Sequence, residues 1–168
     1  MRYNLLTVCL LVVAQALICN YLHVSLYLTL SILPAIIICL PTRHSTMKAL
    51  FIAFAMGFAV DFMSEGLLGL NIMALLPVAL TRRTICDAIF GDELMNRGED
   101  FSIRKYGPAK VGMAIAAGQI IFLLVYILAD GGSARPLGDN IIRGIVSLTA
   151  GIMAGIPVAD MLTKEDRR

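Results

Sequence analysis

Residues 3–40 read YNLLTVCLLVVAQALICNYLHVSLYLTLSILPAIIICL, and those 38 residues contain no Asp, Glu, Lys or Arg. Wound as a single α-helix they would be about 57 Å long at 1.5 Å per residue, roughly twice the hydrocarbon thickness of a bilayer. The stretch is therefore expected to cross a membrane twice. Asn20-Tyr21-Leu22-His23 supplies a polar break between the two crossings, and Pro41 ends the second because it cannot continue a helix comfortably. Outward from this hairpin lie two further apolar regions, 48–80 and 111–162, with the charges gathered in short clusters between them.

The bulk numbers agree. Of the 168 residues 58% are hydrophobic and only 15% charged, with a mean hydropathy of +0.82, too little charge to cover a soluble domain of this size. The expectation is one membrane domain, since the longest polar stretch, 81–108, is too short to fold alone. A net charge of +2 is small and by itself says nothing about nucleic acid, which is not an expected partner; the distribution of charge is what matters. Cys9, Cys19, Cys39 and Cys86 form no C-x-x-C pair and have no His at ligand spacing. Three of them lie in apolar segments, where Cys behaves as a small hydrophobe, so neither a disulfide framework nor a metal site is expected. Arg2, the apolar run and Ala14-Gln15-Ala16 imitate a secretory signal, and Leu17-Ile18-Cys19 imitates a lipoprotein box. Ile18 stands where that box needs a small residue, and the apolar run continues past both sites. A retained first helix is the expected outcome.

The apolar pattern predicts an all-α bundle of six transmembrane helices at about 3–20, 24–40, 47–63, 67–80, 111–129 and 141–162. The fourth has only 14 residues by this reading, against the roughly 20 a straight span needs, so it crosses a thinned region, runs irregularly, or borrows from 81–89. Basic residues set the orientation. With the N-terminus in the cytoplasm, twelve of the fourteen Lys and Arg fall inside and only Arg135 and Arg143 outside, which places both termini in the cytoplasm. The cytoplasmic loop 81–110 carries both signs, as a solvated connector does. A docking surface for a cytoplasmic partner is the sharper alternative for that loop.

The most specific stretch is Gly57-Phe-Ala-Val-Asp61-Phe-Met-Ser64-Glu65-Gly66-Leu-Leu-Gly69-Leu-Asn71. Ala49, Ala53, Gly57 and Asp61 recur every four residues, so they share one face of the third helix, where small residues let another backbone approach. An ionised Asp at the centre of a bilayer costs on the order of 2.5–3.5 kcal/mol, so such a residue faces the bundle and finds partners. Gly66 and Gly69 permit a turn, and Asn71 can cap or bond locally. Two readings stay open at this point. In one, Gly57, Asp61, Glu65, Gly66, Gly69 and Asn71 form a polar cluster that fixes or lines the outer end of the bundle. In the other, two carboxylates near the headgroups are simply tolerated beside a tight hairpin.

The sixth segment repeats the small-residue theme with Gly144, Ser147, Gly151 and Gly155 on one stripe, before Pro157 interrupts it. Between the two stripes, one is expected to close the bundle and the other, preferably that of the third helix, to meet a partner. Enzyme chemistry is not expected. His23 and His44 are predicted on opposite sides of the membrane, as are Asp61 and Asp160, and no H-E-x-x-H, catalytic triad or phosphate-binding glycine loop occurs.

Gly-x-x-x-Asp-x-x-Ser-x-Gly-x-x-Gly-x-Asn over residues 57–71, followed by an apolar segment with a proline, resembles the rod-shape-determining MreD family. Length, six predicted spans, cytoplasmic ends and a late Pro157 before a charged tail agree with it, although only 57–71 is distinctive. Residue by residue, Gly57, Asp61, Gly66 and Gly69 match the family pattern. The resemblance implies a fold similar to the substrate-binding subunits of energy-coupling-factor vitamin transporters. It implies a non-enzymatic scaffold of the bacterial inner membrane, with no cofactor, that binds the bitopic protein MreC. It would act with the MreB filament and the RodA–transpeptidase pair in lateral peptidoglycan synthesis and cell shape. The short fourth segment and long 81–108 stretch depart from the family. The competing expectation, from the shared architecture, is the solute-binding component of a vitamin-type transporter.

Overall fold

The computed structural model describes residues 5–21, 29–41, 45–64, 68–91, 103–130 and 137–164. Among them the chain is all-helical: α1 Leu5–Tyr21, α2 Leu33–Ile38, α3 Thr46–Met63, α4 Leu70–Phe90, α5 Ile103–Ala129 and α6 Leu137–Lys164. Three of these contain stretches long and apolar enough to cross a membrane, Thr46–Met63, Tyr106–Ala129 and Gly138–Leu162, and α1 contributes a shorter apolar helix.

Two expected segments take a different form. The fourth borrows from 81–89, one of the three alternatives: α4 runs from Leu70 to Phe90, 21 residues, through Pro77 and the Arg82-Arg83 pair that the charge pattern assigns to a loop. The proline removes one ladder bond, that to the Met73 carbonyl, yet the helix continues through it, and one turn on, the Thr81 hydroxyl donates back to the Pro77 carbonyl at 2.7 Å. Charge alone did not end the helix because Arg82 turns inward and is 3% exposed. The expected loop 81–110 is correspondingly shortened. α4 occupies it to Phe90, α5 resumes at Ile103, and the Phe90 and Tyr106 rings meet edge to face at 5.1 Å. Gly107, at φ 81°, kinks α5 just before Pro108.

The second difference is larger. One helix does not run through the described part of 24–40: residues 29–32 are non-helical and Leu33–Ile38 are wound, while 24–28 lie outside the described residues. Pro34 sits in the first turn of α2, where its missing N–H costs nothing, and the same residue would break a helix arriving from residue 30. This six-residue helix touches all five others, and every residue from 31 to 41 is buried. Around it α3, α4, α5 and α6 pack in chain order, while α1 lies on α2 and α3.

The distribution of side chains is the reverse of a soluble protein's. Gln15, Ser31, Asp61, Asn71, Arg82, Gln119 and Ser147 are buried, whereas Phe51, Phe54, Phe58 and Phe62 stand exposed along α3, with Leu124, Leu128, Ile141, Ile145 and Met153 exposed on α5 and α6. Apolar outer faces around bonded polar groups suit a hydrocarbon surrounding, where every backbone group must find its partner inside the protein.

Candidate functional site

The buried polar groups gather at three places, each of which satisfies backbone that a helix has left unpaired. At the first, Asp61 on α3 caps α4. Its Oδ1 accepts from the backbone N–H of Asn71 at 3.1 Å and from Asn71 Nδ2 at 2.8 Å. Its Oδ2 accepts from the N–H groups of Gly69 at 3.0 Å and Ile72 at 3.3 Å. The first four N–H groups of a helix have no intrahelical partner, and an anion there also meets the positive end of the helix dipole. Asp61 can reach because α3 and α4 lie almost backbone to backbone: a Cβ at Gly57 would stand 2.9 Å from the Cα and N of Ile72. Gly69 turns the chain into α4 at φ 99°. Asn20 Nδ2 of α1 donates to the Met63 carbonyl at the end of α3, 2.9 Å away.

At the second place, side chains from three helices hold the break before α2. The Gln15 amide bridges it, accepting from the Ile32 N–H at 2.8 Å and donating to the Leu30 carbonyl at 2.9 Å. Ser147 Oγ accepts from the Thr29 N–H at 2.8 Å, and Gln119 Nε2 donates to the Ser31 carbonyl at 3.3 Å. Arg143 donates to Thr29 Oγ1 at 3.0 Å and pairs with Asp130 at 2.6 Å, its guanidinium 5.9 Å from the centre of the Tyr126 ring. At the third place Arg82 of α4 donates to the carbonyls of Ile38 and Leu40, the free acceptors at the end of α2.

The structure thus brings Gly57, Asp61, Gly69 and Asn71 together as a cap joining two helices, while Glu65 and Gly66 lie outside the described residues. So do the charge clusters of 92–100, Arg135 and both histidines. The small-residue stripes fare differently from the expectation that one would be left for a partner. Ala49, Ala53 and Gly57 are buried. On α6, Ser147 is wholly buried, a Cβ on Gly151 would lie 2.2 Å from Gln119 Nε2, and one on Gly155 would lie 2.8 Å from Ile115 Cγ2 and 3.2 Å from Ala35 Cβ. Both stripes close the bundle. Gly144, at the N-terminal end of the second, makes only ordinary contact with Ile127, and Pro157 sits exposed within α6.

Sequence reasoning missed Gln15, Gln119, Arg82 and Arg143 as site residues. The two glutamines were visible as lone amides in runs of apolar residues, a signal of interior bonding. The two arginines were read only as topology markers. All four cysteines are free thiols, and the described residues contain no group of three His, Cys, Asp or Glu placed to hold a metal ion. No family model, curated protein or solved structure matches the chain.

Proposed function

We propose that this chain is a non-enzymatic scaffold of the bacterial inner membrane, an MreD-like protein that crosses the bilayer six times with both ends in the cytoplasm. In this reading it organises lateral wall synthesis by binding a bitopic partner of the MreC kind, alongside the MreB filament and the RodA–transpeptidase pair. Support comes from the 57–71 resemblance and from the use made of its residues. Gly57, Asp61, Gly69 and Asn71 form one joint that fixes α3 against α4, so the distinctive motif serves architecture. The single observation that carries the reading is that the interior carboxylate, Asp61, spends both oxygens on backbone and amide N–H groups of α4. A carboxylate so committed has little left for a substrate. Since both small-residue stripes face inward, partner contact falls to the apolar outer faces.

One observation favours the transport reading. The non-helical stretch 29–32 leading into the short α2 at the centre of the bundle is like the irregular backbone that many transporters use near a solute site. Depletion of the chain separates the two. Loss of rod shape, with co-purification of a bitopic partner from native membranes, supports the scaffold. Intact cell shape together with saturable uptake of a vitamin-like solute that depends on this chain would replace it with a transporter component.

A further inference from the structure

Ser31 and Gln119 meet at the break before α2, where Gln119 Nε2 donates to the Ser31 carbonyl. Ser31 is 2% exposed and Gln119 wholly buried, yet Ser31 Oγ and Gln119 Oε1 have no hydrogen-bond partner among the described residues. Buried polar atoms are paired in the great majority of cases, and two orphans on one contacting pair of residues share one cause. We infer that this joint binds one ordered water molecule, which donates to Gln119 Oε1 and exchanges a hydrogen bond with Ser31 Oγ.

The chemistry selects water over other small ligands. Gln119 Oε1 is an acceptor only, so its missing partner is a donor, while Ser31 Oγ can donate or accept. A cation would find no countercharge: the joint is built from the neutral side chains of Gln15, Thr29, Ser31, Gln119 and Ser147. Among the described residues, the charge that reaches it is the Arg143 guanidinium, held by Asp130. A second or third oxygen partner for the water is at hand in the unwound backbone, whose carbonyls have two lone pairs each and use only one on Gln15 or Gln119. Gly151 makes room for this arrangement, because the Gln119 amide occupies the volume a Cβ there would fill. The site does not depend on the scaffold reading, since a scaffold and a transporter component would need the same joint.

A crystal structure of the full chain grown from a lipidic phase, at a resolution that shows ordered waters, tests it. The expected result is a density peak within hydrogen-bonding distance of both Ser31 Oγ and Gln119 Oε1. That peak should be lost or displaced in Ser31→Ala. A Ser31 hydroxyl turned to donate directly to Gln119 Oε1 with no density between them would overturn the inference. So would a peak ringed by five or more oxygens at cation distances. The wild-type structure decides alone if Ser31→Ala does not fold.

Discussion

Replacing Asp61 by Asn tests the cap at its sharpest, because the change is small in volume and the structure assigns it a definite cost. Each carboxylate oxygen accepts two bonds, Oδ1 from Asn71 N and Nδ2, Oδ2 from Gly69 N and Ile72 N. An amide keeps one oxygen; with that oxygen on Gly69 and Ile72, its NH2 group faces the Asn71 backbone N–H, and the Asn71 side-chain amide must turn to accept from it. Two bonds to a charged acceptor are lost, at about 1.5–3 kcal/mol each. With the lower figure for each and one neutral bond of about 1 kcal/mol regained from the turned Asn71 amide, a net loss of about 2 kcal/mol is expected. The sequence alone suggests that Asn would be mild, since it keeps a hydrogen-bonding group. The geometry makes the change costly all the same, although less so than Asp61→Leu, which loses all four bonds. Denaturant unfolding in detergent can be followed with a thiol-reactive dye, since Cys39 and Cys86 are buried and become labelled on opening, with Cys9 first replaced by Ala. An Asp61→Asn variant within about 0.5 kcal/mol of wild type, the scatter of an ordinary surface substitution, would refute the cap.

Gly57→Ala should destabilise by about 1–3 kcal/mol in the same assay, because its Cβ meets Ile72 backbone at 2.9 Å. Gly112→Ala, whose Cβ finds only Ile156 Cδ1 at 4.0 Å, should instead be neutral or stabilise by about 0.5–1 kcal/mol; equal behaviour of the two would sink the close approach of α3 to α4. Gln15→Leu strips the break of two bonds and should cost about 2 kcal/mol or more, whereas a wild-type unfolding midpoint would mean the break is held by other means. For the six-crossing topology, a thiol introduced at Ser133 should react with an impermeant reagent in intact cells and one at Gly98 should not. Labelling at Gly98 would reverse the orientation.

The membrane character of the chain was legible because it rests on composition over long windows. A run of 38 uncharged residues leaves no soluble solution, and the helices at Thr46–Met63 and within 103–129 and 137–164 follow from the same signal. The joint at 57–71 was legible for a different reason. Asp61 is the lone acid of an apolar helix and stands four residues after a glycine, so periodicity places the charge on the face where a neighbour can come closest. What could not be read was the partner. Nothing in the spacing says that the carboxylate takes the first turn of α4 rather than a side chain. The extent of α4 stayed open in the sequence, with borrowing from 81–89 one of three alternatives, because Arg82 and Arg83 look alike there. Arg82 is buried on the carbonyls of Ile38 and Leu40, while the Arg83 side chain is 65% exposed beside Asp87. Only the position of α2 distinguishes them.

The break in the second segment shows why a hydropathy pattern stops short of a fold in lipid. Residues 24–40 are apolar enough to pass as one helix, and Pro34 is the only residue among them that argues otherwise. Unwinding 29–32 in hydrocarbon would strand the N–H and C=O groups of those residues, each at several kcal/mol, so a break is stable only where other helices bring polar side chains to it. Gln15, Gln119, Arg143 and Ser147 arrive from α1, α5 and α6 to do so, and Arg82 does the same at the far end of α2. None of these is near the break in sequence. The two glutamines and the proline are therefore one signal written at three distant places. A lone Gln in an apolar helix implies unpaired backbone elsewhere in the bundle, and a proline inside another apolar run says where to look for it. Read that way, residues 15, 34 and 119 would have pointed to a helix broken before residue 34 and held by two amides.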